Sequence, residues 1–409
     1  MGLSRRRFLE SAALGFIALG VPPAFLVRAA GARTRSSRKT LVIVFQRGGM
    51  DGLNAVVPFK DASYYALRPT IAIAEPARDG GDRALDLDGF FGLHPALAPL
   101  KPVYDDGRLA VVHAAGSPDN TRSHFDAQDF MELGTPGIKS TPDGWLNRYL
   151  RTRERTPSPL RAVAAVQRLP RILAGPARAL TLSSIEQFRI REEALGIALE
   201  RLYATSADPL LRHGAETLFQ AMAELKTVAS RIPPAAEAYP PGRFGAGLAQ
   251  IARLIKADVG LEVAFVESEG WDTHVNQGGA TGQMANRLKT FAEGLAAFCL
   301  DLRDRLDDVV LVTLSEFGRT ARENGNRGTD HGHANAMFVL GGSIRGGRVY
   351  GRWPGLAPEQ LYEERDLQLT TDYRTVCGEL IARHLGQEDL SAIFPGFRFR
   401  EVLGILAKT

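Results

Sequence analysis

The sequence predicts an α/β fold, built on a large, mainly parallel sheet with helices on both faces. One observation is a set of continuous apolar runs rich in β-branched residues, typical of strands that are buried on both sides. Another is that these runs alternate with helix-like segments, which favours a sheet covered by helices. The chain has 409 residues and 44% of them are apolar, so it can bury a large core.

Five apolar runs mark the predicted strands. They are residues 40–46 (TLVIVFQ), 108–114 (RLAVVHA), 261–268 (LEVAFVES), 308–315 (DVVLVTLS) and 336–342 (AMFVLGG). Between the third and fourth runs, apolar residues recur every three or four positions, which predicts a long amphipathic helix packed on the sheet. This apolar stripe consists of Met284, Leu288, Phe291, Leu295, Phe298 and Leu302.

Residues 184–232 differ from the rest of the chain. They are rich in Glu, Arg and Ala, follow a helical pattern and contain no strand-like run. We interpret them as a helical insertion that covers one end of the sheet. A proline-rich break at residues 231–243 closes this segment. The predicted organisation is therefore a signal segment, residues 1–32, followed by one α/β domain, residues 33–409.

The first 32 residues resemble a cleavable export signal. The stretch SRRRFLES is followed by a modest apolar run and ends in small residues. Its paired arginines, Arg5 and Arg6, resemble the twin-arginine signal of bacteria, which implies folding in the cytosol and export to the periplasm or beyond. Pro22 and Pro23 interrupt the apolar run. The run is a poor membrane span, and no stable span is expected after cleavage.

Charge and cysteine content exclude several classes of function. The formal net charge is +4, and the four arginines of residues 1–32 against Glu10 account for +3 of it. The remaining chain is nearly neutral, without a basic stripe, so we expect no nucleic-acid partner. Cys299 and Cys377 both lie in apolar helical patterns. We therefore expect buried structural thiols rather than a disulfide framework.

Four polar segments adjoin the ends of predicted strands, where ligands of α/β proteins bind. They are QRGGMDGLN after the first strand, EGWDTHVNQGG after the third, EFGRT after the fourth and GTDHGHAN before the fifth. Imidazole and carboxylate together favour a divalent metal, with zinc fitting best, manganese or iron next, and calcium least. No cysteine takes part, which favours an open site that keeps a position for water or substrate. The candidate ligands are Asp51, Asp272, His274, Glu316, His331 and His333, with His124 as a further candidate.

Each candidate also has a structural interpretation. Asp51 lies in a glycine-rich turn, where an Asx-turn is common. Asp272 would then brace its turn, and Glu316 would pair with Arg319 or Arg322. His333 would be an ordinary loop histidine, and Asp330 would orient a neighbouring histidine. We assign a structural or surface role to His94, His113, His213 and His384.

Ser123 begins a predicted helix. A serine followed three residues later by Asp126 is typical of a helix N-cap. A hydroxyl at a helix N-terminus also lies beside free amide donors that favour an anion, and a nearby metal would turn it into a nucleophile. Arg122 is placed to bind the anionic oxygens of a substrate. Thr121 is the competing hydroxyl.

The motifs FQRGGMDGLNAVVP, LHPALAPL, SHFDAQDFME, GWDTHVNQ, LSEFGRT and GTDHGHANAMFVLGG, together with the signal, resemble the domain-of-unknown-function 1501 family of exported bacterial proteins. The resemblance spans about residues 38–390. That family is similar in fold to the alkaline phosphatase and sulfatase superfamily. The resemblance implies one or two metal ions beyond the strand ends and a nucleophile at a helix N-terminus, matched here by Ser123. It also implies ligands at Asp272 and His274, and at His331 or His333.

The sequence departs from that superfamily at two positions. Gln46 and Arg47 stand where the first strand normally ends in a metal-binding Asp, and Phe317 stands where a His is usual. These departures imply one metal instead of two, a changed activity or none. Two functions therefore stay open. One is an exported hydrolase of small-molecule or glycan phosphate or sulfate esters, with catalytic roles for Ser123, Arg122 and Arg319; the other is a non-catalytic periplasmic or surface binding protein.

Overall fold

The computed structural model describes residues 39–77, 81–153, 158–186, 193–228 and 234–406. The predicted export signal, residues 1–32, lies outside these residues. Among the residues described, no helix is both long enough and apolar enough to cross a lipid bilayer.

Twelve strands are present in the described chain, and most of them belong to one large sheet. They are β1 (Thr40–Arg47), β2 (Val56–Val57), β3 (Leu85–Asp86), β4 (Gly92–Leu93), β5 (Leu109–Gly116), β6 (Ala162–Ala164), β7 (Leu180–Thr181), β8 (Val263–Glu269), β9 (Val309–Leu314), β10 (Asn335–Gly341), β11 (Arg348–Tyr350) and β12 (Thr371–Asp372). Strands β2, β4 and β3 form a small antiparallel sheet. The other nine form the central sheet.

The central sheet is mixed but mainly parallel. Its order is β11–β5–β10–β9–β1–β8–β6–β7, with β12 also paired to β5. Among the residues that the structure describes, only the two pairs of this sheet made by β10, with β5 and with β9, are antiparallel. The five predicted apolar runs correspond to β1, β5, β8, β9 and β10. The predicted α/β fold with a mainly parallel sheet is therefore confirmed.

Ten α-helices are described around these sheets. They are α1 (Gly52–Ala55), α2 (Ala62–Leu67), α3 (Lys101–Asp105), α4 (His124–Leu133), α5 (Trp145–Thr152), α6 (Glu193–Ala204), α7 (Pro209–Val228), α8 (Arg243–Lys256), α9 (Gln283–Leu302) and α10 (Tyr373–Arg383). Helix α9 carries the predicted apolar stripe, all six members of which are buried. Helices α6 and α7 occupy the segment predicted as an insertion, of which residues 187–192 and 229–232 lie outside the described chain.

The sheet is buried on both faces, as the continuous apolar runs predict. Val42 and Val44 of β1 face a core layer that includes α8 and α9. The alternate residues Leu41, Ile43 and Phe45 face a second layer that includes α5 and α10. Burying an aliphatic or aromatic side chain completely contributes about 1.5–3 kcal/mol relative to leaving it exposed. Packing in these two layers therefore fixes the position of the strand ends from which the polar loops extend.

The direction of β10 decides where the polar loops meet. Strands β1, β5, β8 and β9 all point the same way, so their carboxyl ends lie at one edge of the sheet. Because β10 runs in the opposite direction, the segment before it reaches that same edge. GTDHGHAN therefore joins the loops that follow the other strands, although it precedes its own strand.

The two cysteines and three of the histidines have structural positions. Cys299 and Cys377 are buried free thiols, which confirms the prediction for them, and burial raises the pKa of Cys299 to about 12. His94 is fully buried and caps a short 3₁₀-helix. The ring Nε2 of His113 lies 2.9 Å from the carbonyl oxygen of Val56, and that of His384 lies 3.0 Å from the carbonyl oxygen of Thr40.

His113 and His384 make stability depend on pH. Burial lowers the pKa of each ring from 6.5 to about 4. Between these values the unfolded chain binds protons that the folded chain excludes, so the unfolding free energy of metal-free protein falls as the pH is lowered from about 6.5 to about 4. At 1.36 kcal/mol per pKa unit, the loss is roughly 3 kcal/mol for each ring. Urea unfolding at pH 7, 6, 5 and 4 measures it.

A His384→Gln variant is the control for this pH dependence. Its amide keeps a donor for the Thr40 carbonyl but does not titrate, so its unfolding free energy should fall less steeply with acidification. An unfolding free energy that is equal at pH 7 and pH 4 in the unmodified protein would contradict the prediction.

Candidate metal centre

Four side chains converge at the loop edge of the sheet. His124 is the first residue of α4, Asp272 and His274 follow β8, and His331 precedes β10. Ligand atoms of His124, Asp272 and His331 all lie within 4.8 Å of one another. His274 Nε2 lies 2.9 Å from Asp272 Oδ1 and 3.0 Å from His331 Nε2. Segments more than 200 residues apart in the chain thus meet around one point.

The second nitrogen of each ring has an oxygen partner. Nδ1 of His124 lies 2.7 Å from Glu316 Oε1, and Nδ1 of His274 lies 3.0 Å from Asp330 Oδ1. Nδ1 of His331 lies 2.7 Å from the carbonyl oxygen of Arg122. Carboxylate and carbonyl oxygens only accept hydrogen bonds, so each Nδ1 carries a hydrogen and donates. Such partners commonly fix the orientation of metal-binding histidines.

This hydrogen bonding leaves acceptors facing one another. With Nδ1 protonated, the neutral ring offers a lone pair at Nε2. The Nε2 atoms of His274 and His331 are 3.0 Å apart, and His331 Nε2 is 3.2 Å from Asp272 Oδ1. His124 Nε2 is 3.4 Å from Asp272 Oδ2. Lone pairs and a carboxylate this close repel unless a proton or a cation lies among them, so these residues fit a divalent metal ion.

Asp272 is held in its charged form. Its burial raises the pKa, but the hydrogen bond and charge of Arg319 outweigh that and lower the pKa to about 2. Arg319 Nη2 lies 2.6 Å from Asp272 Oδ1. An ionised carboxylate is available at any pH near neutrality, which suits a metal ligand. The same guanidinium is buried and donates to the carbonyl oxygens of Gly48, Gly49, Trp271 and Thr329. Arg319, predicted to be catalytic, thus donates to Asp272 and to the backbone of the loops that carry the cluster.

Glu316 is also placed behind the cluster. It is buried, and its Oε1 accepts hydrogen bonds from His124, from Gln128 Nε2 at 2.9 Å and from the Gly48 amide at 2.8 Å. Burial raises the pKa of its carboxyl, but these hydrogen bonds outweigh burial and lower it. Glu316, predicted as a ligand, therefore orients His124 instead of facing the point of convergence.

The cluster histidines differ in their electrostatics. The hydrogen bond with Glu316 raises the pKa of His124, although burial opposes it. Burial lowers the pKa of His331, which favours the neutral ring. Phe317 lies against both rings, with centroids 4.9 Å from His124 and 4.8 Å from His331. Phe317 therefore packs against the rings of two cluster histidines.

Two glycines of GTDHGHAN allow its close packing. A Cβ added at Gly328 would overlap the carbonyl group of His274, and one added at Gly332 would overlap the backbone of Arg319. The loop can therefore lie directly against the segments that follow β8 and β9. This approach brings His331 to Asp272.

The cluster is open on one side. The side chain of Asp272 is 43% exposed and that of His274 is 37% exposed. Closed structural metal sites exclude solvent, whereas catalytic sites keep an accessible position. The arrangement thus fits an ion that contacts water or a ligand.

The structure does not bring Asp51 or His333 into this cluster. Asp51 is buried and its Oδ2 accepts hydrogen bonds from Arg68 Nη1 at 2.6 Å and Gln277 Nε2 at 2.7 Å, because it turns inward from the loop after β1. The His333 ring is buried against Tyr362, with centroids 4.4 Å apart. The alternation of side chains next to β10 separates it from His331.

Ser123 is the N-cap of α4, and its hydroxyl accepts from the Asp126 amide at 3.5 Å. The Arg122 guanidinium, predicted to bind an anion, pairs with Glu363 at 2.6 Å and with Asp366 at 2.8 Å. Its carbonyl, rather than its side chain, reaches the cluster.

The Gln46 side chain is buried on the same face of β1 as Val42 and Val44, and neither of its amide atoms finds a hydrogen-bond partner within the described chain.

Two residues at the cluster, His124 and Gln128, are not evident as contributors from the sequence. The sequence favours His124 less than the other candidate ligands, and it does not single out Gln128. They stand four residues apart, so they share one face of α4, and both contact Glu316. Polar residues at that spacing beside buried Ala127 and Met131 were the available signal.

Fold and site together define a mixed-sheet α/β protein with a histidine- and carboxylate-rich centre at the loop edge. The chain belongs to the DUF1501 family of proteins of unknown function, whose sequence model matches residues 109–393. All four converging residues lie within that range. The chain is also similar to the crystal structure of the PsFucS1 sulfatase from Pseudoalteromonas sp., with 12% identity over 80% of this chain and 68% of that one, and a TM-score of 0.35. No curated protein matches the sequence.

Proposed function

We propose that the protein is an exported metal-dependent hydrolase of phosphate or sulfate esters of small molecules or glycans. The observation that carries the proposal is the partly exposed group of His124, ionised Asp272 and His331, whose ligand atoms lie within 4.8 Å of one another, with His274 Nε2 2.9 Å from Asp272 Oδ1. Three histidines with one carboxylate suit zinc, and also manganese or iron. When bound, such an ion activates a water molecule or polarises an ester oxygen.

The residues of the chain take distinct roles in this proposal. His124, Asp272, His274 and His331 hold the ion, and Arg319 keeps Asp272 charged. Ser123 is the proposed nucleophile, because it precedes His124 directly and is the N-cap of the ten-residue helix α4. The free amides at the start of that helix favour the anionic oxygens of the substrate. Since the Arg122 guanidinium already pairs with two carboxylates, we assign Arg122 to orienting His331 through its carbonyl.

Metal analysis followed by an ester panel tests the proposal. Purified protein is expected to contain about one equivalent of divalent metal per chain and to hydrolyse 4-nitrophenyl phosphate or 4-nitrophenyl sulfate. His274→Ala should remove most of the metal and lower kcat/KM at least roughly 100-fold, because an ion-dependent step loses its centre. Ser123→Ala should lower kcat while the metal content stays unchanged.

The outcomes separate the parts of the proposal. Protein without stoichiometric metal would refute the metal centre. Turnover by Ser123→Ala equal to that of the unmodified protein would refute the nucleophile alone. Metal-loaded protein that is inactive on every ester would favour a non-catalytic binding protein.

A further inference from the structure

A buried hydrogen-bonded cluster lies behind the metal centre and contacts the loops that carry it. We call Asp51, Arg68, Thr273, Gln277 and Thr329 the clamp. All five side chains are buried, and Arg68, Gln277 and Thr329 are fully so. Buried polar groups are costly unless they are hydrogen-bonded, so their partners fix their geometry closely.

Gln277 is the centre of the clamp. Its Nε2 donates to Asp51 Oδ2 at 2.7 Å, which leaves its Oε1 as an acceptor. That oxygen accepts from the Thr273 hydroxyl at 2.8 Å and from the Thr329 hydroxyl at 2.8 Å. One amide thus joins the loop after β8 to the segment before β10.

The two threonines directly precede residues of the metal centre. Thr273 is followed by His274, and Thr329 is followed by Asp330, whose carboxylate lies 3.0 Å from His274 Nδ1. The Thr329 amide also donates to the Thr273 carbonyl at 3.2 Å. The distance between Thr273 and Thr329 therefore sets the distance between His274 and its orienting carboxylate.

Arg68 extends the clamp to a third loop. Its Nη1 contacts Asp51, its Nε donates to the Ala321 carbonyl at 3.0 Å and its Nη2 donates to the Thr320 carbonyl at 2.9 Å. Thr320 follows Arg319 and exchanges backbone and side-chain hydrogen bonds with Asp330. The loops after β1, β8 and β9 and the segment before β10 are thereby linked by hydrogen bonds of largely buried side chains.

We infer that the clamp positions the metal centre, with Gln277, Thr273 and Thr329 as positioning residues that set the affinity and geometry of the ion. This inference rests on the metal centre of the proposed function. None of the three side chains contacts the point of convergence. They act through His274 and Asp330, in the way that groups around metal ligands commonly tune a site.

Isosteric substitutions of the threonines test the inference. Thr329→Val and Thr273→Val each remove one hydroxyl and keep the side-chain volume. Each is expected to weaken Co²⁺ binding roughly 10- to 100-fold, measured by competition with a chelator. Each should also change the visible absorption spectrum of bound Co²⁺, which reports its coordination geometry. Thr329→Ser keeps the hydroxyl and should therefore keep the Co²⁺ affinity and spectrum of the unmodified protein.

Thr313→Val is the matched control. The Thr313 hydroxyl is fully buried and accepts from the Phe338 amide at 2.9 Å within the sheet, away from the clamp. This variant loses one buried hydrogen bond as well, but it should keep the Co²⁺ affinity and spectrum of the unmodified protein. Clamp variants that match the unmodified protein in both readouts would overturn the inference.

Hydrogen exchange on metal-free protein separates this inference from the proposed function. Thr329→Val should speed amide exchange in residues 271–277 and 328–333 relative to Thr313→Val, because the clamp holds these segments whether or not an ion is bound. Unmodified protein that takes up no Co²⁺ would refute the metal centre and with it the effect on affinity. Equal exchange in the two variants would overturn the clamp itself.

Discussion

His331→Ala is expected to lower the affinity for the metal ion sharply, whereas His333→Ala leaves it unchanged. Both residues lie in GTDHGHAN, but only the His331 ring points at Asp272 and His274, and the His333 ring packs against Tyr362. Binding free energies of about 10–16 kcal/mol for structural zinc, shared over four ligands, give roughly 2.5–4 kcal/mol for each ligand. Loss of His331 should therefore weaken metal binding roughly 100- to 1,000-fold.

The pair of variants is a matched comparison within one loop. Metal content after purification and the Kd for Zn²⁺, measured by competition with a chelating dye, give the result. Unfolding monitored by circular dichroism in chelator shows whether either substitution disturbs the fold. Equal Zn²⁺ affinity in the two variants, or a greater loss in His333→Ala, would contradict the assignment of His331 as the ligand of this loop.

Arg319→Met should lower the unfolding free energy of the metal-free protein by roughly 4 kcal/mol, the largest stability effect we expect. The guanidinium is 1% exposed and donates to four backbone carbonyls besides Asp272. Methionine fills much of the volume but supplies no donor. Buried acceptors and a carboxylate then lose their partner, which costs far more than an exposed ion pair. Urea unfolding in excess chelator measures the loss without a contribution from bound metal.

Arg243→Met is the control for this substitution. Arg243 pairs with Glu269 at 3.2 Å, but their side chains are 76% and 53% exposed, and exposed pairs contribute about 0–1 kcal/mol. Arg319→Lys adds a second comparison, because it keeps the charge but cannot reach all five acceptors. It should recover only part of the stability. An Arg319→Met loss no larger than that of Arg243→Met would contradict a positioning role.

The strands were predictable because their chemistry is local. Val42 and Leu41 are both buried, on opposite faces of β1, so a sheet covered on both sides leaves a continuous apolar run in the sequence. The buried stripe of α9 was similarly predictable, because its apolar residues recur every three or four positions. The direction of a strand within the sheet is not evident from its own sequence. Nothing in AMFVLGG shows that β10 runs against its neighbours, because strand direction depends on partners distant in the chain.

The candidate site was predictable in its loops but less so in its individual side chains. Asp272, His274 and His331 stand in polar segments beside strands, and the structure brings them together. Asp51 has the same residue type and the same kind of loop, yet it pairs with Arg68, because one turn of backbone decides which way its carboxylate points. His124 follows the N-cap residue Ser123, so its local sequence indicates only the start of a helix. Its contacts with Asp272 and Glu316 depend on segments far away in the chain.

Because β10 is inserted antiparallel between β5 and β9, the central sheet must fold before the protein can bind an ion at this site. His331 meets His124 and Asp272 only after β10 has docked, since the three come from distant parts of the sequence. Contacts of such large separation form late, because loop-closure entropy opposes them. Binding of the ion would then occur only in chains whose central sheet has already formed. A chain exported already folded, as its first residues predict, would carry an ion chosen in the compartment of its synthesis rather than at its destination.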